Sequence, residues 1–102
     1  MTKYNVVISE QAQQDLRDLS HTISFEFNSP VTAVNYLRGI YAEIKKLRYL
    51  ASIFPTQKSA YYEQYNCLVR RLRYKKMTIL YTVVGRTAYI IRVIPSSSIT
   101  TH

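Results

Sequence analysis

The feature of this sequence with the clearest chemical potential is a run of cations inside an alternating apolar segment. Residues 68–84 read LVRRLRYKKMTILYTVV, and five cations and no acid lie between Arg70 and Lys76. Cations two residues apart on a strand project from the same face, where they can hold phosphate or carboxylate oxygens. A strand that needed only solubility would mix both signs of charge. The segment therefore predicts a surface that meets a strongly negative partner.

The distribution of charge along the chain supports this interpretation. The 102 residues carry a net charge of +8. Residues 1–66 hold seven cations and all six acids, whereas residues 67–102 hold seven cations and no acid. Such asymmetry indicates a nucleic acid or an acidic protein segment as the partner. The alternative is a basic protein that its charge merely keeps soluble. The cations of the C-terminal third are Arg70, Arg71, Arg73, Lys75, Lys76, Arg86 and Arg92.

Other kinds of chemistry have little support in the composition. Two His and one Cys argue against a metal site, and no Gly-rich phosphate loop is present, so we predict no metal and no cofactor. We expect His21 to be a solvated side chain and Cys67 to pack beside a strand. The N-terminus does not resemble a signal peptide, and no apolar run approaches the ~20 residues of a membrane span. These features predict a cytoplasmic protein that does not enter a membrane.

Apolar spacing predicts the order of elements as β-α-α-β-β-β, an α+β fold. A first strand at 4–8 precedes Ser9, the expected N-cap of the first helix, and Ser29 is the expected N-cap of the second helix, with Pro30 at its first position. The apolar stripes that predict these helices are Ala12, Leu16, Leu19, Ile23 and Phe27 in the first and Ala33, Leu37, Ile40, Ile44 and Leu47 in the second. The two helices should form a hairpin packed on one face of an antiparallel sheet. The later strands are predicted at 68–74, 77–84 and 88–94, with a possible short strand at Tyr61–Tyr62. We expect one domain over residues 1–95 and a flexible tail over 96–102.

Strand alternation assigns the cations to faces. Arg71, Arg73 and Lys75 should project from the face opposite the helices, with Lys76 and Arg86 nearby. Arg70 should point toward the helices and pair with an acid such as Asp15, because a buried unpaired guanidinium would be too costly. The tyrosines at 61, 62, 65 and 74 either stack on exposed bases or simply suit half-buried strand edges.

The order and spacing of several motifs resemble the RelE/ParE toxins of bacterial type II toxin–antitoxin pairs, and the ParE-like members most closely. The motifs are S-x-x-A-x-x-D-L from Ser9, S-x-x-x-A-x-x-Y from Ser29, I-x-x-L from Ile44, V-R-R-L at 69–72, I-L-Y-T-V at 79–83 and I-I-R-V-I at 90–94. The resemblance implies a toxin that a cognate antitoxin neutralises through an acidic disordered tail, within a toxin–antitoxin hetero-oligomer. Pro95 and the serines after it depart from the family, whose last strand is often followed by a His or Arg.

The two branches of the family imply different mechanisms. RelE-like toxins cleave mRNA on the ribosome, using second-strand cations, a third-strand Arg and an Arg with a Tyr or His near the C-terminus. In this sequence Arg71 and Arg73 match the second-strand cations, but Thr78 occupies the position of the third-strand Arg. Ser97 falls near the position of the C-terminal Arg, and His102 is the remaining acid–base candidate. ParE-like toxins lack these residues and inhibit DNA gyrase on DNA. Because the RelE set is incomplete, we favour the ParE-like function without a catalytic site, and RelE-like cleavage or a harmless nucleic-acid-binding module remains the alternative.

The resemblance and the charge pattern together define the candidate binding residues. For the target, whether a gyrase–DNA complex or ribosome and mRNA, they are Arg71, Arg73, Lys75, Lys76, Arg86 and Arg92. For the antitoxin they are Leu16, Leu19, Tyr36, Tyr41, Arg71 and Arg73, with strand addition at a sheet edge as part of the docking.

Overall fold

The computed structural model describes residues 3–99 and has the predicted α+β order of elements. The elements are β1 Asn5–Ile8, α1 Glu10–Phe27, α2 Pro30–Leu50, a 3₁₀ helix Ala60–Tyr65, β2 Arg70–Tyr74, β3 Met77–Val84, β4 Thr87–Pro95 and a 3₁₀ turn Ser96–Ser98. No helix in the described part of the chain is long and apolar enough to cross a membrane.

Both predicted helix caps are confirmed. The side-chain oxygen of Ser9 accepts a hydrogen bond from the backbone N–H of Ala12 at 3.0 Å, and that of Ser29 accepts from Thr32 at 3.2 Å. Between the helices, Asn28 adopts a left-handed conformation with φ of 47°, which ends α1 within one residue. These short local interactions place α1 and α2 side by side as a hairpin.

The sheet has the strand order β1-β4-β3-β2 and is antiparallel in three of its strands. The expectation of an antiparallel sheet holds for β2, β3 and β4, but β1 pairs with β4 in parallel. The cause is the path of α2, which returns the chain to the end of the sheet where β1 begins, so that the N–H of Tyr4 donates to the carbonyl of Arg48 at 2.7 Å. The strand β2 starts at the same end of the sheet as β1 and has the same direction. The chain reverses direction between β2 and β3 and again between β3 and β4, so β4 is also parallel to β1.

A core of apolar side chains lies between the helical hairpin and the sheet. The helices bury most of the predicted stripes into it, but Phe27 at the end of α1 is 63% exposed. Tyr81 at the centre of the core is fully buried. Its hydroxyl donates to the carbonyl of Ala51 at 2.7 Å, and burial raises the pKa of this phenol to about 12. The buried residues of the core include Leu16, Ile40, Ile44, Leu47, Leu72, Met77, Ile79, Tyr81 and Ile90.

A second, smaller core covers part of the opposite sheet face. Tyr62 packs there with Val69, Leu80 and Ile94. The predicted strand at Tyr61–Tyr62 is wrong, because these residues belong to the 3₁₀ helix, whose tyrosines pack edge to face. Their rings therefore serve the core, which favours the packing interpretation of the tyrosines over base stacking.

The residues after β4 also differ from the expected flexible tail. Residues 96–98 form a 3₁₀ turn, and Ile99 packs against the second core. The hydroxyls of Thr78 and Ser96 are hydrogen-bonded at 2.7 Å, and the N–H of Ser96 donates to the carbonyl of Lys76 at 2.8 Å. These bonds hold the turn against β3. The remaining residues of the predicted tail, 100–102, lie outside the described residues.

One carboxylate completes the edge of β4 where β1 ends. Asp15 on α1 accepts the backbone N–H of Val93 at 3.0 Å and two N–H groups of Arg92 at 2.7 and 2.9 Å. The carboxylate side chain is 8% exposed and the guanidinium side chain 34%. A side chain of α1 thus accepts a hydrogen bond from the edge of β4, and this contact fixes α1 on the sheet.

We predict that Asp15→Ala lowers the free energy of unfolding by about 2–3 kcal/mol, because it leaves Val93 N–H and Arg92 without their acceptor. Partial exposure of Arg92 keeps the loss below that of a fully buried pair. Urea unfolding measures it. The matched control is Asp18→Ala on the exposed face of α1, with a change within about 0.5 kcal/mol. Equal midpoints for both variants would contradict the role given to Asp15.

A second prediction concerns Gly39, which lies where the ring of Tyr74 crosses α2. A Cβ at this position would overlap the phenol of Tyr74, which also packs edge-on against Tyr36 with ring centroids 5.4 Å apart. Gly39→Ala should therefore destabilise the protein by about 1–2 kcal/mol through overpacking. In a Tyr74→Ala background the same change should stabilise by about 0.5–1 kcal/mol, the usual gain of Ala over Gly in a helix. A double-mutant cycle in denaturant unfolding measures the reversal; a gain in both backgrounds would refute the contact.

Candidate target-binding surface

The edge strand β2 presents two arginines on the sheet face opposite the helices. Arg71 pairs across the ladder with Leu80 and Arg73 with Thr78, whose side chains lie on that face. The predicted orientation of these two arginines is therefore confirmed. Both are exposed.

These arginines open onto a shallow cleft, called here the basic cleft, of about 310 Å³. An Nη of Arg71 donates to the hydroxyl of Tyr62 at 3.2 Å, and Nε of Arg73 donates to the carbonyl of Lys75 at 3.0 Å. Neither arginine is paired with a carboxylate within the described residues. Neutral acceptors therefore orient the two guanidinium groups without neutralising their charge. The cleft is lined by Phe54, Arg71, Leu72, Arg73, Thr78, Ser96 and Ile99.

The structure corrects the placement of Lys75. This residue has φ of 53° in the tight turn after β2, so strand alternation does not apply to it. Its ammonium lies 5.5 Å from the ring centroids of both Tyr36 and Tyr74, on the helix side of the sheet. Lys75 therefore does not share a face with Arg71 and Arg73. Lys76 follows it in the turn and is exposed.

Two further cations predicted for the target surface lie elsewhere. Arg86 lies in the turn between β3 and β4, at the far end of the eight-residue strand β3 from Lys76, roughly 25 Å away. Arg92 is turned toward α1, where its hydrogen bonds to Asp15 raise the pKa of the guanidinium. Arg92 thus has its charge compensated, and Arg86 is remote from the basic cleft.

Arg70 does not pair with Asp15, and that expectation is wrong. Its guanidinium donates to the backbone carbonyls of Ser52 and Phe54, just beyond the C-terminal end of α2. A cation at this end is favourable because the free carbonyls of a helix C-terminus carry partial negative charge. Arg70 is therefore a structural link between β2 and the helical hairpin, and Asp15 is left to Arg92.

The residues expected for RNA cleavage are only partly brought together. Arg71, Arg73 and Thr78 line the same cleft, but Thr78 carries no charge and its hydroxyl is bonded to Ser96. Ser97 is exposed in the 3₁₀ turn, and His102 lies outside the described residues. No His, Asp or Glu is among the described residues that line the cleft. The cleft can bind an anion, and none of its described lining residues is a carboxylate or imidazole that could deprotonate a ribose hydroxyl near neutral pH.

The apolar residues expected to bind an antitoxin differ in their exposure. Leu16 is 3% exposed and belongs to the main core, so the structure does not present it to a partner. Leu19 and Tyr36 are half-buried and pack against that core, and burial raises the pKa of the Tyr36 phenol. Tyr41 is 48% exposed on the outer side of α2. Of these four side chains, Tyr41 is the most accessible anchor.

Tyr41 contributes to a groove of about 600 Å³ between α2 and β1, called here the β1–α2 groove. Its floor is mainly apolar, and among the described residues three cations and no acid line it. Since β1 is an edge strand of the sheet, the groove adjoins backbone groups that have no strand partner on that side. Its lining residues are Val6, Arg38, Tyr41, Ala42, Ile44, Lys45 and Arg48.

Some functional features were missed at the level of sequence. The hydroxyl pair of Thr78 and Ser96 joins residues 18 positions apart, and Tyr62 reaches Arg71 from a helix that was not predicted. The cations of the β1–α2 groove recur at helical spacing, Arg38, Lys45 and Arg48, and this pattern was a signal that the groove existed.

Comparison with known proteins agrees with this architecture. A chain from the chromosomal ParDE toxin–antitoxin system of P. aeruginosa superposes with a TM-score of 0.75, at 16% sequence identity, over 93% of this chain and 98% of that chain. This similarity shows a shared fold. A search of curated proteins finds no match.

The family model for the ParE toxin of the parDE type II toxin–antitoxin system matches residues 6–99, which span all the helices and all but the first residue of the sheet. The resemblance to the RelE/ParE toxins is thereby confirmed, on the ParE side. The protein belongs to the ParE toxin family of type II toxin–antitoxin systems.

Proposed function

We propose that this ParE-family protein arrests growth by binding DNA gyrase on DNA, and that a cognate antitoxin neutralises it within a hetero-oligomer. The observation that carries the proposal is the composition of the basic cleft, which combines uncompensated cations with hydroxyls and contains no acid–base group among its described lining residues. Such a surface binds anions strongly. A toxin that acts by stabilising a complex requires nothing more from it.

RelE-like RNA cleavage remains the second candidate because of one geometric fact. Arg71 and Arg73, the two cations that mechanism would use on the second strand, do lie together in the basic cleft. Cations of this kind stabilise the charge that develops on a cleaved phosphate. Cleavage also needs a proton acceptor and a proton donor, and the cleft lining in the described residues provides neither a carboxylate nor an imidazole.

The first test of the function compares the two targets directly. We expect the purified protein to inhibit supercoiling by gyrase and to increase cleaved DNA, while mRNA in a translating extract stays intact. Arg71→Glu with Arg73→Glu should reduce the inhibition by at least roughly tenfold, because two charge reversals turn an attractive surface into a repulsive one.

The matched control for this test reverses Lys3 and Arg17, two exposed cations away from β2, and should inhibit gyrase as the unchanged protein does. Codon-phased cuts in the mRNA would instead establish the RelE-like mechanism. An Arg71→Glu, Arg73→Glu variant of full potency would show that the basic cleft has no part in toxicity.

For the antitoxin, the β1–α2 groove is the better-supported docking surface on the hairpin. Its apolar floor and its three cations suit a segment that alternates apolar and acidic residues, and an exposed tyrosine provides an anchor. A disordered acidic segment would gain both burial and charge neutralisation as it folds there. Arg71 and Arg73 stay in the proposed antitoxin contact as the second point of charge neutralisation.

We predict that Tyr41→Ala with Lys45→Glu weakens binding of the antitoxin encoded beside this gene by about tenfold or more, because an aromatic anchor and a complementary charge are lost together. Fluorescence anisotropy with labelled antitoxin measures the change. The control is Tyr49→Ala with Lys58→Glu, which alters the same residue types at exposed positions outside the groove. Equal losses in the two variants would exclude the groove as the specific site.

A further inference from the structure

The polar side chains of the basic cleft are mainly hydrogen-bond donors, so a ligand of the cleft must supply acceptors. We propose that it binds a phosphodiester of single-stranded nucleic acid, so that the toxin contacts a DNA strand directly as well as its protein target. This inference deepens the proposed function, in which the toxin acts on gyrase that holds cleaved DNA. Its basis is the set of polar groups in the cleft, their geometry and the apolar walls around them.

The two guanidinium groups supply positive charge that no acid cancels. The ion pairs in the described residues are Arg92 with Asp15 and Lys46 with Glu43, and neither involves the cleft. Arg71 is steadied by Tyr62, and Arg73 by a backbone carbonyl, so each uses one N–H of the five that a guanidinium carries. The remaining N–H groups are available to an anion, and guanidinium matches the geometry of phosphate oxygens.

The hydroxyl pair in the cleft adds another donor. Thr78 is 3% exposed, and its oxygen lies 2.7 Å from that of Ser96. Whichever hydroxyl donates in this bond, the other keeps its own hydrogen for a further acceptor. The pair therefore offers a hydrogen-bond donor beside the two arginines. A phosphodiester carries several acceptor oxygens and no donor, which complements this set.

The spacing of the arginines fits a nucleic-acid backbone. Arg71 and Arg73 are two residues apart on β2, which places their Cα atoms about 6.6 Å apart along the strand. This distance is comparable with the separation of successive phosphates in an extended single strand. The apolar side chains of Phe54 and Ile99 can receive the sugar or the face of a base, whereas that of Leu72 belongs to the main core. The volume of the cleft suits one nucleotide.

An acidic peptide is the competing ligand, and its chemistry fits less well. A peptide brings a backbone N–H at nearly every residue, and each N–H needs an acceptor when it is buried. The arginines and hydroxyls of the cleft supply donors, and its arginines accept no hydrogen bonds. The free carbonyls of the edge strand β2 lie along the edge of the sheet and not on the sheet face where the cleft opens. A phosphodiester strand imposes no such demand. The observations therefore favour nucleic acid at this site.

The experiment measures binding of a labelled oligothymidylate of about twelve nucleotides, a length within the range of single-strand sites, in the absence of gyrase. Arg71→Gln with Arg73→Gln should weaken binding at least about tenfold, and the slope of log affinity against log salt should fall by about 1.4, which corresponds to two phosphate contacts. Thr78→Val with Ser96→Ala removes both hydroxyls, keeps both charges and should weaken binding about fivefold, the effect of one lost hydrogen bond.

The control, Lys3→Gln with Arg17→Gln, removes the same total charge away from β2 and should change affinity less than about twofold, because charges beyond a Debye length are screened. Unchanged binding by the cleft variants, or no binding by the unchanged protein, would overturn the inference. So would an oligoglutamate peptide that binds the cleft more tightly than the oligonucleotide.

The outcome is separable from that of the proposed function because this assay contains no gyrase. Inhibition of gyrase by a protein whose cleft does not bind the oligonucleotide would refute the inference and leave the proposed function in place. Binding of the oligonucleotide by a protein that does not inhibit gyrase would refute the proposed function and leave the site in place.

Discussion

The arrangement of the whole molecule depends on how the edge of β4 is closed. The strand β1 pairs with β4 only as far as Ile90, and beyond that point the carboxylate of Asp15 on α1 accepts the N–H of Val93. A buried strand edge without partners would be costly, so this contact ties the position of α1 to the sheet. Arg92 is hydrogen-bonded to the same carboxylate, so its charge is compensated and it does not add to the basic surface.

The sheet then separates two surfaces with different physical character. On the helix side, a large core leaves the groove between α2 and β1, which combines an apolar floor with cations. On the other side, a smaller core of tyrosine and aliphatic residues covers the centre and leaves the basic cleft beside β2. An amphipathic acidic segment suits the first surface, and a polyanion suits the second. The two proposed partners would therefore be recognised by different interactions on one small domain.

Local patterns in the sequence predicted the helices, their caps, the meander and the orientation of Arg71 and Arg73, since each depends on neighbours a few residues away. The wrong placements of Lys75 and Arg92 share one cause, which is a departure from regular backbone. The left-handed turn at Lys75 ends the alternation of β2, and the irregularity opposite Leu80 and Tyr81 leaves Ile91 unpaired in the register, so that Arg92 lies opposite Leu80. Neither departure has a glycine or proline to signal it, and the partners of Arg70 and Arg92 depend on the resulting tertiary contacts.

The four arginines that lie along β2 and β4 differ in the groups that bind their guanidinium groups, and this difference supports the basic cleft as the proposed binding surface. Arg70 is bonded to helix-end carbonyls and Arg92 to a carboxylate, and both stabilise the fold. Arg71 and Arg73 are oriented by a phenol hydroxyl and a peptide carbonyl, which fix the direction of a guanidinium and leave its full charge. Concentrating like charge at one edge without an acid raises the electrostatic energy of the folded state. A negative partner relieves that repulsion when it binds, so the binding free energy comes from charges that the fold has kept in place and left unpaired.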